Sequence, residues 1–100
     1  MQITKALQRR IDSINASLDQ VNTYTEIPCT YAGGTFPYYI QLTAPITVKN
    51  QFVYIQEEPS QYKYGFQKRY NANQEWSLDE LKYDLSQINR TFNKLIKDNS

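Results

Sequence analysis

The chain has 100 residues, with 11 Lys and Arg against 10 Asp and Glu and a net charge of +1, so bulk charge announces no polyanionic partner. It contains no histidine and one cysteine, which excludes Ser–His and Cys–His nucleophiles, a disulfide within the chain and the usual zinc ligand sets. Hydrophobic residues at 40% and nine tyrosines place it with folded chains, and its length is that of one domain over residues 1–100 with room for a core.

Residues 3–22 predict an amphipathic helix. Ile3, Leu7, Ile11, Ile14, Leu18 and Val21 recur at spacings of four, four, three, four and three, which holds them on one face. Gln8, Arg9, Asp12, Ser13, Asn15 and Gln20 lie between them and read as a solvated face. Thr23, Tyr24 and Thr25 have poor helix propensity and end the element.

Residues 24–70 predict three to five short strands. Residues 24–31 form a candidate first strand, with Pro28 placing it at an edge, and Ala32-Gly33-Gly34 is the clearest turn. Residues 37–43 alternate Tyr38, Ile40 and Leu42 with Tyr39, Gln41 and Thr43. Residues 46–48 and 51–57 fit a tight hairpin around Lys49 and Asn50. Residues 61–70 form the last strand, with Tyr62, Tyr64, Phe66 and Tyr70 on one face and Lys63 and Arg69 on the other. Residues 71–74 are a polar turn.

Residues 78–97 predict the second helix. Ser77 with Glu80 three residues on reads as a capping box, and Trp76 with Leu81 as a hydrophobic staple. Leu78, Leu81, Leu85, Ile88, Phe92 and Leu95 repeat at three-four spacing. The order helix, antiparallel meander, helix implies an α+β fold, a two-layer sandwich with the seams on the sheet. The alternative arrangement pairs the two seams with each other, with the sheet alongside.

Little chemistry accompanies this architecture. The acids Glu57-Glu58 and Asp79-Glu80 read as strand-end and helix-start charges, since neighbours on a strand point to opposite faces. Gly33-Gly34 lacks the spacing of a phosphate loop. Cys29 has no adjacent base to activate it. The sequons at Asn15 and Asn89 fall inside predicted helices, against glycosylation. No catalytic, cofactor or metal residue is expected, and the chain reads as non-enzymatic.

Residues 1–10 lack the apolar segment of a secretory signal, and the longest apolar run, Phe52-Val53-Tyr54-Ile55, is far short of the about 20 residues of a membrane span. These features point to a cytoplasmic protein without a membrane partner. A Tyr/Asn/Gln-rich domain of this kind resembles the accessory proteins of phages and mobile elements. The expectation is a protein-interaction domain that inhibits a host protein, or fills a place in an assembly, and that forms a homo-oligomer or binds an unrelated protein.

The strands carry more aromatic surface than one core layer uses. If Val53 and Ile55 face the helices, Phe52 and Tyr54 face away. The expected interface is therefore Tyr39, Phe52, Tyr54, Lys63 and Arg69, because Tyr and Arg are favoured at interfaces. A second reading is nucleic-acid binding by the aromatic and basic strand around Tyr64-Gly65-Phe66 and by a basic helix face of Lys82, Arg90, Lys94 and Lys97.

Overall fold

The structure, a computed structural model, describes residues 3–23, 42, 44–55 and 68–100. Its elements are α1 (Lys5–Thr23), β1 (Thr47–Lys49), β2 (Phe52–Ile55), β3 (Lys68–Asn71) and α2 (Glu75–Asp98). The three strands form an antiparallel sheet in the order β1-β2-β3, a meander, and the sheet lies against the helices. The fold is α+β, with helices at both ends and antiparallel strands between. The expected strand at 24–31, that at 37–43 apart from the buried Leu42, residues 56–57 of that at 51–57 and most of that at 61–70 lie outside the described residues.

The helices form where the periodicity puts them. Leu7, Ile11, Ile14, Leu18 and Val21 of α1 and Leu81, Leu85, Ile88 and Phe92 of α2 are all buried, with Ile3, Leu78 and Leu95 partly so. The two seams meet, since α1 packs along α2. The sheet does not separate them. It completes the same core with Val53, Ile55 and Tyr70, joined by Leu42, Ile46 and Ala72. The seams pair with each other, and the covered face of the sheet, seated on α2 through β3, joins the same core.

The helix starts differ from expectation. Thr4 caps α1, its Oγ1 accepting the Leu7 N–H at 3.2 Å, a bond to the third helical residue. The capping box at Ser77 is not formed. The second helix begins at Glu75, three residues before the expected start, with Gln74 as an N-cap whose side chain caps no backbone N–H and whose Oε1 accepts the Trp76 indole N–H instead. Ser77 lies buried within the first turn, and Trp76 is 62% exposed, so no staple holds it to Leu81. The turn that feeds this helix replaces the missing cap. The Asn71 carbonyl accepts the Gln74 N–H at 3.1 Å, and Asn71 Oδ1 accepts the Asn73 N–H at 2.9 Å, an Asx turn.

The β1–β2 hairpin turns one residue later than its sequence suggests. Lys49 pairs with Phe52, so Asn50 and Gln51 form the two-residue loop, both with positive φ, 52° and 67°. Positive φ at both loop residues is the type I′ pattern, whose twist matches the strands. Asn tolerates it, while Gln carries a left-handed cost of about 1–2 kcal/mol. Gln51→Gly is therefore expected to raise stability by at most about 1 kcal/mol, because the glycine entropy and the loss of the Gln51 Oε1 acceptor for Asn73 Nδ2 offset part of the relief. Gln51→Val, β-branched at positive φ, lowers it. Urea unfolding midpoints distinguish the two outcomes.

Asn15 departs most from expectation. Its side chain is not part of a solvated face. It is half-buried, with Nδ2 donating to the Ile46 carbonyl at 2.9 Å and Oδ1 accepting the Ile46 N–H at 2.8 Å. The amide acts as a strand partner for the residue that enters β1. Removing it leaves both backbone groups of a buried residue unpaired, which costs about 1–3 kcal/mol. Asn15→Ala is expected to lose that much in urea unfolding, while Ser13→Ala, exposed on the same helix, stays within about 0.5 kcal/mol of the parent.

Candidate functional site

The register of the sheet decides which side chains share a surface. Val53 pairs with Tyr70 and Val48, and all three point to the covered side. Phe52 pairs with Lys49 and Asn71, and Tyr54 with Thr47 and Arg69, so these residues share the opposite face. Of the expected interface residues, Phe52, Tyr54 and Arg69 are thus brought onto one surface. Tyr39 and Lys63 lie outside the described residues.

The geometry of that surface is specific. The Phe52 and Tyr54 rings lie 6.2 Å apart at a 50° tilt. The Arg69 guanidinium carbon sits 4.7 Å from the centre of the Phe52 ring, and Lys49 Nζ 5.4 Å from that of Tyr54. Each cation is directly opposite one ring in the ladder yet lies over the other, on the diagonal within reach of long side chains. Such cation–π contacts are worth about 0.5–1 kcal/mol each at exposed sites. They hold two rings and two positive charges in a fixed lattice. Lys49 was expected in the turn. The hairpin places it in β1 instead, and this adds a cation that the alternating pattern of β2 alone does not reveal.

The covered face has its own polar anchor. Lys68 lies beside Ile55 and Tyr70 on that face, yet its Nζ reaches Asp84 Oδ2 of α2 at 3.3 Å. The Tyr70 hydroxyl donates to the same oxygen. Asp84 is only 14% exposed at its side chain, so two donors satisfy a largely buried carboxylate, as burial of a charge requires. Lys68, Asp79, Glu80, Tyr83 and Asp84 line an open depression of about 450 Å³. Its carboxylates do not converge: no group of three His, Cys, Asp or Glu side chains suited to a metal ion occurs among the described residues. The role visible here is to seat β3 on α2.

The residues of the nucleic-acid reading are placed on the exposed side of α2. Lys82, Arg90, Lys94 and Lys97 are all exposed, with Lys94 held loosely to Asp98 at 3.7 Å. Ser86, next to this face, is used at the helix contact, where its Oγ accepts from Arg10 of α1 and donates to the Lys82 carbonyl at 2.8 Å. The exposed face is also of mixed sign, because Asp79 and Glu80 share it. The strand segment Tyr64-Gly65-Phe66 lies outside the described residues. No helix among the described residues is long and apolar enough to cross a membrane.

Two exposed rings of α2 belong to neither expected surface. Trp76 and Tyr83 are 62% and 64% exposed, one assigned to a staple and the other to nothing. Their seven-residue spacing, continued by Arg90 and Lys97, is the signal that marks a second stripe on α2, opposite the leucine seam. The chain matches no family model, no curated protein and no solved structure.

Proposed function

We propose that this protein is a non-enzymatic interaction domain that binds another protein through the outer face of its sheet. The observation that carries the reading is the aromatic and cationic lattice of Lys49, Phe52, Tyr54 and Arg69. Rings and an arginine ordered before contact lose little entropy on binding, the property of a good anchor. The face suits a partner that offers apolar side chains to the rings and a carboxylate to Arg69. A chain without histidine supports binding over acid–base catalysis. Inhibition of a host protein, or a fixed place in a larger assembly, is the biological role this reading favours.

The mixed sign of the α2 face argues against nucleic acid, whose binding calls for a continuous basic footprint. The reading is tested by affinity capture followed by titration. A protein partner is expected to bind the parent and to lose about thirtyfold in affinity, about 2 kcal/mol, on Tyr54→Ala. Arg69→Glu is expected to weaken it further and to change its salt dependence. Mixed oligonucleotides are expected not to bind. Unchanged affinity in both folded variants, or salt-dependent oligonucleotide binding by the parent, contradicts the proposal.

A further inference from the structure

The solvent face of α2 has a pattern that its core face does not need. From residue 76 to residue 97 it spans about 32 Å at 1.5 Å per residue. Trp76 and Tyr83 stand exposed on its first half beside Asp79, while Arg90, Lys94 and Lys97 stand exposed on its second half. At about 100° per residue these six fall in one stripe about 60° wide. The stripe points away from Leu81, Leu85, Ile88 and Phe92 of the core. Asp79, Arg90 and Lys97 have no ion pair among the described residues.

The order of these residues is complementary to its own reverse. When a second α2 is laid antiparallel with its centre between residues 86 and 87, Asp79 meets Lys94, Tyr83 meets Arg90 and Trp76 meets Lys97, and by symmetry each contact occurs twice. A twofold interface demands this relation, in which residue i touches j and j touches i. A parallel pairing would set Asp79 on Asp79 and Lys94 on Lys94, which electrostatics opposes. Large rings left in water at a solvated helix face are explained when a cation from another molecule covers them.

We propose that the protein forms an antiparallel homodimer through this stripe of α2, the second copy placing Lys94 on Asp79 and its Arg90 and Lys97 over the Tyr83 and Trp76 rings. The interface is separate from the outer face of the sheet and leaves that face open. Its polar make-up gives association in about the micromolar range, weakened by salt because the charges are rim-exposed.

Sedimentation velocity over a range of concentrations up to about 500 µM tests this. The parent is expected to dimerise, at least tenfold more weakly in about 0.5 M than in about 0.05 M salt. Asp79→Lys with Glu80→Lys, and separately Lys94→Glu with Lys97→Glu, each set like charges together at both ends. Each is expected to be monomeric with an unchanged circular dichroism spectrum. Mixed, the two variants restore both pairs and are expected to form a heterodimer. A control with Lys5→Glu and Arg9→Glu on α1, of the same net charge as the second variant, is expected to form no heterodimer with the first. Trp76→Ala with Tyr83→Ala, which alters no charge, is expected to weaken the dimer by about tenfold or more. A parent that stays monomeric overturns the proposal. So does a dimer that survives the α2 variants or is lost on Tyr54→Ala, or a mixture that fails to restore it.

Discussion

The two hydrogen bonds between the Asn15 side chain and Ile46 close the structure on itself. The packing of the described elements otherwise runs in series: α1 lies on α2, α2 on β3, β3 on β2 and β2 on β1. Among the described elements β1 stands last in that series, a three-residue strand with every residue exposed. The Asn15 amide ties the residue before β1 back to α1, and the series becomes a ring. An amide is suited to this, since it offers one donor and one acceptor at the spacing of a strand neighbour. The bond pair also fixes the facing of the strand it introduces. With Ile46 held inward, Thr47 and Lys49 lie on the outer side of the sheet and Val48, though still exposed at 41%, on the side of Val53, and a slip of one residue would invert this order.

The outer surface follows from that facing. Lys49 stands beside Phe52 only in the observed register, and the diagonal contact of its ammonium with Tyr54 depends on the type I′ loop at Asn50 and Gln51. On the other flank, Arg69 reaches Phe52 because β3 is seated by Asp84, which receives both Lys68 and Tyr70. A helix amide and a helix carboxylate, one at each edge, thus position the two cations of the face. The α2 stripe needs none of this. It is a property of one helix, set by seven-residue spacing, so the two surfaces are separable by mutation.

The core was legible because it repeats. Six apolar positions at three-four spacing in each helix announce their faces many times over, and Val53 and Ile55 declare the covered side of β2 by alternation. What escaped was carried by single residues. One asparagine in a polar run has no period, and only its place at the edge of the seam, about 40° beyond Ile11, sets it apart from Ser13 or Gln20. The turn was misplaced by one because Gln51 adopts positive φ without the glycine that announces it. The start of the second helix at Glu75 escaped because Gln74 is an N-cap without a capping bond, while Ser77 and Glu80 imitate a capping box within the helix. Of the site, the common facing of Phe52, Tyr54 and Arg69 was legible from alternation, whereas the second cation required the turn to be known.

Amide hydrogen exchange at Ile46 tests the closing of the ring most directly. Ile46 precedes β1, and its N–H is bonded to the Asn15 side chain. The account predicts that this amide exchanges as slowly as those of Val53 and Tyr70, by opening of the whole fold, and that in Asn15→Ala it exchanges as fast as an exposed loop amide while the helix seams stay protected. An Ile46 amide that exchanges in the parent at the rate of an unprotected chain would contradict it.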